Sequence, residues 1–327
     1  MNNLISSFPN HITQALSIFS NSNIKPANQS FSNVLIAGMG GSGIGASIVT
    51  EWAQSQSKYP IKITKDYSIP AFVNEQTLFI ASSYSGNTEE TLAAAQHAQS
   101  KGAQVYVICS GGLLETDAIK NQFPFLKIPD GMPPRAALGY SLTLLTQLFH
   151  LLGIASFPKS SFDAAANLII QEQDNIKAEA LVIAQKIHQT IPVVFCSEGF
   201  EGSSIRACQQ FNENAKMLCW HSVVPEMNHN ELVAWNKKYT NLSALFVRSN
   251  LEFYRNTKRL DILQNHVKPY VVEQIILQTK GQNLVEQNIY LIHLVDWISF
   301  YASELNEVDV NDIEVLINLK KELAHLA

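Results

Sequence analysis

Short apolar runs, each bounded by glycine or polar residues, recur along the first half of the chain. They have the length of buried β-strands, at Val34–Ala37, Ile61–Thr64, Leu78–Ser82 and Val105–Cys109. Helical segments lie between them, after an opening amphipathic helix, at Ile44–Ala53 and Thr88–Lys101. Because neighbouring parallel strands require crossover connections, this alternation predicts a parallel sheet with helices on both faces. The first half is therefore expected to be a doubly wound α/β domain.

The second half repeats the alternation after the Pro- and Ser-containing segment 153–161, which we interpret as a hinge. Its predicted strands are Pro192–Cys196, Leu242–Val247 and Tyr270–Gln274. Its predicted helices are Phe162–Gln189, Ile205–Lys216, Glu252–Asn265 and Asn288–Leu305. A strand, a Gly/Ser-rich loop at 197–204 and a helix follow one another as they do at 34–53, which indicates an internal duplication. The predicted fold is α/β, with two doubly wound, mainly parallel sheets flanked by helices, in domains 1–155 and 156–327.

Composition narrows the class of protein. The 327 residues have a formal charge of −5, so the surface lacks the excess of basic residues that a nucleic-acid partner requires. Neither a leader sequence nor an apolar run long enough to span a membrane is evident. None of the four cysteines has CxxC spacing and at least three lie in apolar runs, which indicates reduced structural thiols. We therefore expect a cytoplasmic protein that uses neither nucleic acid nor a membrane.

The first glycine-rich segment, 38–45, allows two interpretations. Gly38, Gly40 and Gly43 match the GxGxxG pattern between a strand and a helix, which is typical of dinucleotide binding. Asp66 lies near the position where such a site needs an acidic residue for the ribose. The same loop also suits a phosphate or a simple tight turn. An NAD-dependent oxidoreductase thus stays open on this motif alone.

A second loop favours a phosphate. Hydroxyl side chains gather within ten residues at the end of one strand and the start of the next helix, at Ser82, Ser83, Ser85, Thr88 and Thr91. Amide groups at a helix N-terminus have no intrahelical acceptor and lie at the positive end of the helix dipole, so they bind anions without a lysine. Ordinary helix capping explains one or two of these hydroxyls but does not require so many.

These two loops and three later motifs resemble one family. Ser83–Thr88 is similar to the SxSGxT phosphate loop of the sugar isomerase (SIS) domain, and GMGGSG is similar to the preceding loop of that domain. The motifs GMPPRAA at 131–137, NENAK at 212–216 and PEMNHNE at 225–231 resemble those of bifunctional phosphoglucose/phosphomannose isomerases, whose chains contain two SIS domains. The resemblance spans nearly the whole chain.

The resemblance implies a site for small-molecule sugar phosphates that needs neither cofactor nor metal. The groups that hold the phosphate and sugar are then Gly40, Gly41, Ser42, Ser83, Ser85 and Thr88. The implied reaction interconverts glucose 6-phosphate, and also mannose 6-phosphate, with fructose 6-phosphate through an enediolate. Such a reaction needs a base, a ring-opening acid and a cation near the oxyanion.

The family motifs imply a role for each catalytic residue. Glu213 is the base, although the residues alone also suit a solvated carboxylate paired with Lys216 or Lys177. Arg135, fixed by two preceding prolines, stabilises the enediolate; taken alone, it suits an ordinary surface arginine.

The resemblance also implies that His229 opens the sugar ring, reaching into the site of the second subunit of a homodimer. A loop histidine near His221, Glu226 and Glu231 also suits a metal, but the spacing matches no familiar zinc pattern. The last cation is Lys320, with Lys321 beside it.

Two alternative functions stay open: the oxidoreductase, and a non-catalytic SIS module that binds a phosphosugar and signals to a partner.

Overall fold

The computed structural model describes residues 1–325 and contains two parallel sheets, one in each half of the chain. The first sheet has the strand order β2-β1-β3-β4-β5. Its strands are β1 (Asn33–Ala37), β2 (Ile61–Thr64), β3 (Thr77–Ser83), β4 (Gln104–Cys109) and β5 (Phe125–Lys127). The accompanying helices are α1 (Asn2–Ser6), α2 (Phe8–Ser20), α3 (Gly40–Ala53), α4 (Glu89–Ser100), α5 (Gly112–Asn121) and α6 (Leu138–Leu151).

Helices cover both faces of the first sheet, and side chains alternate between these two faces along each strand. Val34 and Ile36 of β1 belong to the core cluster that includes buried residues of α2, α3 and α6. Leu35 and Ala37 belong to the opposite cluster, which includes buried residues of α4 and α5. This arrangement confirms the doubly wound α/β fold predicted for the first half.

The second sheet has the order β7-β6-β8-β9, which repeats the β2-β1-β3-β4 part of the first sheet. Its strands are β6 (Ile191–Ser197), β7 (Trp220–Val224), β8 (Leu242–Arg248) and β9 (Glu273–Gln278). The helices of this half are α7 (Lys159–Ile187), α8 (Glu201–Ala215), α9 (Tyr254–Val267), α10 (Leu284–Leu305) and α11 (Glu314–Ala324). The repeated order supports the internal duplication.

Two long helices connect the halves. The first part of α7 contributes Phe162 and Ile169 to the core of the first sheet, whereas Ile176 and Ile187 belong to the core of the second. Helix α10 likewise contributes residues to both cores. No helix within residues 1–325 is both long enough and apolar enough to cross a membrane. The domain boundary between residues 155 and 156 lies between α6 and α7 and stays a prediction.

Several boundaries predicted from the sequence differ from those in the structure. Helix α3 begins at Gly40 rather than Ile44, so most of the predicted glycine loop is the first turn of a helix. The predicted strand Tyr270–Gln274 lies three residues too early, because β9 begins at Glu273. The apolar pattern also missed β5, β7, α5 and α6, of which β7 is only partly buried and so lacks a continuous apolar run.

Candidate active site

The two predicted phosphate loops lie side by side, where β1 and β3 end. Ser42, in the first turn of α3, accepts a hydrogen bond at Oγ from the Tyr84 N–H (3.0 Å). Gly43 lets the start of α3 pack against the backbone that follows β1, since a Cβ at Gly43 would lie 2.5 Å from the Gly38 carbonyl oxygen. The glycines are needed because the helix begins directly against the backbone of the strand end. The amides of the first turn of α3 therefore face the same region as the second loop.

The second loop is shaped by its own hydroxyls. Ser83 Oγ lies 2.9 Å from Thr88 Oγ1 and accepts the Gly86 N–H at 3.2 Å. Ser85 is exposed, and its Oγ accepts the Asn87 N–H at 3.2 Å. Gly86 has φ +66° and touches the Gly111 carbonyl so closely that no side chain fits there. Ser83, Ser85 and Thr88 thus form one hydroxyl-lined turn before α4.

Three of the five hydroxyl side chains counted in the sequence are buried, including Ser83 of the turn, which is 2% exposed. Ser82 and Thr91 are each 1% exposed, and their Oγ atoms have no hydrogen-bond partner within the described residues. They belong to the interior beside the turn, so the region available to a phosphate is narrower than the sequence count of hydroxyls indicated.

A cavity of about 510 Å³ lies between the first turn of α3, the C-terminal part of α8 and the start of α11. This volume falls in the range of small-molecule sites. Its lining includes Gly40, Gly41, Arg135, Glu213 and Lys216. Residues of both halves of the chain therefore meet at one cavity, although they are distant in the sequence.

Arg135 is a buried residue in the wall of this cavity, with 4% of its surface exposed. Nη1 donates to Glu213 Oε1 at 2.7 Å, Nε to Asn214 Oδ1 at 2.8 Å, and Nη2 to the Val310 carbonyl at 2.6 Å. Pro134 begins a short 3-10 turn that contains Arg135, which places the guanidinium at the start of α6. The alternative of an ordinary surface arginine is wrong.

Glu213 is paired with Arg135 rather than with either lysine considered from the sequence. Its side chain keeps 32% exposure at the cavity. Lys216 Nζ instead donates to the Glu213 carbonyl (2.7 Å) and the Asp312 carbonyl (2.9 Å), and Lys177 Nζ lies over the Trp297 ring. Sequence reasoning did not assign Lys216 and Asn214 to the site, although both lie in the NENAK motif that carries Glu213.

A second ion pair lies directly behind Arg135. Arg206 of α8 donates through Nη2 to both carboxylate oxygens of Asp296 (2.9 Å) and to the Arg135 carbonyl (3.0 Å). Gln210 Nε2 also donates to Asp296 Oδ1 at 2.9 Å. These contacts join α8 and α10 to the turn that carries Arg135. Nothing local in the sequence indicates them, because the partners are 71 or more residues apart.

His229 and Lys320 do not line this cavity within a single chain. His229 lies in a short 3-10 turn after β7, is exposed, and has no hydrogen-bond partner among the residues described. Lys320 and Lys321 are exposed on α11. The chain alone brings together Gly40, Gly41, Arg135 and Glu213, but not the other two proposed catalytic residues.

The Gly/Ser loop of the second half does not repeat the phosphate site. The carboxylate of Glu51, from α3, accepts the N–H groups of Gly199, Glu201 and Gly202 at 2.7 to 3.0 Å. An anion from the protein itself therefore occupies the N-terminus of α8. Burial raises the pKa of Glu51 against the opposing effect of these amides. The loop therefore joins the two halves of the chain, and its amides are already bonded to a carboxylate of the protein.

Comparisons with known proteins agree with this architecture. Residues 29–119 match the family model of the SIS domain, and residues 176–323 match that of the bacterial phospho-glucose isomerase C-terminal SIS domain. The structure of the C-terminal domain of glucosamine-fructose-6-phosphate aminotransferase from Francisella tularensis has a TM-score of 0.74 at 13% identity, covering 94% of this chain and 96% of that one. The fold and the paired loops thus define a protein of two SIS-type domains.

Close relatives narrow this class. The bifunctional phosphoglucose/phosphomannose isomerase of Thermoplasma volcanium is 35% identical over 296 residues, which is 90% of this chain and 92% of that protein. The protein of the same name from Caldicellulosiruptor bescii is 32% identical and covers 97% of both chains. The chain belongs to the family of bifunctional phosphoglucose/phosphomannose isomerases. The resemblance identified from the sequence motifs is confirmed.

Proposed function

We propose that the protein is an aldose–ketose isomerase that interconverts glucose 6-phosphate, and mannose 6-phosphate, with fructose 6-phosphate. The observation that carries this proposal is the direct contact between Arg135 and Glu213 in the cavity next to Gly40 and Gly41. A carboxylate and a guanidinium held together beside helix N-terminal amides are the groups that a proton transfer next to a carbonyl requires. Family membership supports the same reaction and substrates.

The proposed reaction begins with the phosphate held by the amides of Gly40 and Gly41 and by the hydroxyls of Ser42, Ser83, Ser85 and Thr88. Glu213 removes the proton from C2 of the open-chain aldose, and the C1 carbonyl oxygen gains the negative charge of the enediolate. Arg135 stabilises that oxygen through its guanidinium. Glu213 then returns the proton to C1, and transfer of the hydroxyl proton from O2 to O1 completes the ketose.

The ion pair explains how a carboxylate can act next to a fixed cation. In the free protein, Arg135 Nη1 holds Glu213 Oε1, so the base is oriented before substrate arrives. Three acceptors hold the three guanidinium nitrogens, and this limits how far Arg135 can move. Because Glu213 keeps solvent exposure on its cavity side, a sugar can approach it without breaking the pair.

We infer that the active unit is a homodimer in which His229 opens the sugar ring in the site of the second subunit. The exposed position of His229 supports a partner across an interface. Helix α11 supports it as well, because large apolar side chains of that helix are exposed, namely Val315, Leu316, Ile317, Leu319 and Leu323. The proposed second cation of the site is Lys320, and the alternative candidate for the same role is Lys216, which lines the cavity. The cytoplasmic location stays part of this proposal.

A coupled assay with glucose 6-phosphate and mannose 6-phosphate in parallel, with chelator present, tests the proposal. Glu213→Gln should lower kcat by roughly 10²-fold or more, the usual contribution of a general base, while fructose 6-phosphate still binds. Glu304→Gln, an exposed carboxylate of α10, is the matched control and should keep full activity. Full activity of Glu213→Gln would refute its role.

The same assays separate the alternative functions. A wild-type protein that binds sugar phosphate without turning it over would favour the regulatory module. A change in nicotinamide fluorescence on adding the protein would favour the oxidoreductase. Loss of activity with chelator would contradict a mechanism that needs no metal. Comparison of Lys320→Ala with Lys216→Ala identifies which lysine serves turnover.

A further inference from the structure

Two cysteines lie in contact, one of them on the helix that carries Glu213. Cys208 is on α8, and Cys219 is in the irregular segment between α8 and β7. Their Sγ atoms are 3.3 Å apart. Cys208 is 8% exposed and Cys219 is partly exposed, so this corner is open to small solutes from one side. All four cysteines are free thiols.

We propose that Cys208 and Cys219 form a reversible intramolecular disulfide and that this corner of the second domain is a thiol-oxidation site. A disulfide has an S–S distance of about 2.05 Å, so closing the contact requires the sulfur atoms to approach by roughly 1.2 Å. Cys219 lies outside regular secondary structure, where the backbone can accommodate that movement without breaking a helix or strand. Cytosolic disulfides of this kind are typically transient and redox-sensing.

Charged and polar groups around the pair activate one sulfur. The Cys219 thiol donates towards Cys208, and His221 lies beside it; these contacts lower the pKa of Cys208 to about 6. The hydrogen bond with Cys208 in turn raises the pKa of His221, whose Nε2 is also 3.5 Å from Glu201 Oε1. The shared proton and burial raise the pKa of Cys219. Cys208 is therefore the nucleophilic thiolate, and Cys219 is the resolving thiol.

The oxidation balances with hydrogen peroxide as the oxidant. The Cys208 thiolate attacks one peroxide oxygen, the O–O bond breaks, and hydroxide leaves as a sulfenic acid forms on Cys208. Cys219 sulfur then attacks Cys208 sulfur, the S–O bond breaks, and a second hydroxide leaves. Two thiol protons convert the two hydroxides to water, and peroxide receives the two electrons lost by the sulfurs. A dithiol reductant reverses the product by thiol–disulfide exchange.

The other two cysteines provide an internal comparison. Cys109 on β4 and Cys196 on β6 are fully buried. Burial raises the pKa of Cys109 to about 11 and raises that of Cys196 as well. Both are thus thiols at neutral pH and inaccessible to an oxidant, which agrees with the structural role expected from the sequence.

The test uses the full-length reduced protein treated with stoichiometric hydrogen peroxide. Peptide mapping after alkylation under denaturing conditions should find Cys208 cross-linked to Cys219, with the intact mass lower by two hydrogen atoms. A dithiol reductant should restore four free thiols. Cys208→Ser and Cys219→Ser should each abolish the cross-link, whereas the matched control Cys109→Ala should retain it. His221→Asn should slow its formation by about tenfold or more.

Three results would overturn the proposal: four free thiols after treatment, oxidation of Cys208 to sulfinic acid without a cross-link, or a cross-link that joins two chains. If a serine variant fails to fold, the mapping of the wild-type protein and of Cys109→Ala still decides the matter. A melting temperature that is higher for the oxidised protein than for the reduced one would support closure of the native loop, since the cross-link restricts the unfolded chain.

Discussion

The buried pair of Arg206 and Asp296 provides the sharpest test of how the site is held together. Asp296→Asn keeps the shape of the side chain but removes its charge. The side chains of Arg206 and Asp296 are 2% and 6% exposed, so the variant leaves a guanidinium in the interior without its counter-charge. Breaking a buried pair from one side typically costs about 3 to 5 kcal/mol. That is a large part of the roughly 5 to 15 kcal/mol of a whole domain.

Urea unfolding at neutral pH, followed by circular dichroism, measures this loss. The matched control is Asp163→Asn, because Asp163 also pairs with a cation at 2.9 Å, but on an exposed helix surface. We expect the control to change the free energy of unfolding by no more than about 0.5 kcal/mol. A second comparison combines Arg206→Met with Asp296→Leu, which should recover part of the loss by removing both charges.

A loss in Asp296→Asn of less than about 1 kcal/mol, similar to that of the control, would refute this reasoning. Turnover provides an independent reading, since Arg206 donates to the Arg135 carbonyl. If the pair positions Arg135, kcat should fall in Asp296→Asn under conditions where the variant is still folded. An unchanged kcat would restrict the pair to a structural role.

Two further predictions concern a glycine and a buried histidine. Gly43→Ala should cost about 1 to 3 kcal/mol, because its Cβ would lie 2.5 Å from the Gly38 carbonyl oxygen. Gly45→Ala, whose Cβ would meet its nearest neighbour at 3.5 Å, should be neutral or stabilising by up to about 1 kcal/mol; equal effects in urea unfolding would contradict this. Burial lowers the pKa of His293 from 6.5 to about 3. As the pH falls through this range, the unfolded chain binds a proton at this histidine that the folded chain does not bind. The free energy of unfolding therefore falls. His293→Gln should flatten this dependence by up to about 1.4 kcal/mol per pH unit; parallel curves of stability against pH for variant and wild type would contradict the assignment.

The sequence alone determined the features that depend on neighbouring residues. Buried strands such as Thr77–Ser83 are visible as short apolar runs, and the paired Gly and Ser loops follow from residue types at fixed offsets after a strand. Family motifs placed Glu213 and Arg135 as candidate site residues. These sequence patterns are local, so they can be interpreted without knowledge of the tertiary packing. The residues alone did not choose among phosphate, dinucleotide and turn at Gly38–Gly45.

The tertiary structure decided which distant groups meet. It buried Arg135 against Glu213, 78 residues away, where sequence reasoning considered a surface arginine and a lysine partner. It placed Glu51 in the duplicated loop of the second half and brought Cys208 against Cys219. It also began α3 at Gly40, within the predicted loop. The physical reason is that such contacts depend on how the two sheets and the long helices α7 and α10 pack together. The hydrophobic periodicity of the sequence contains no information about that packing.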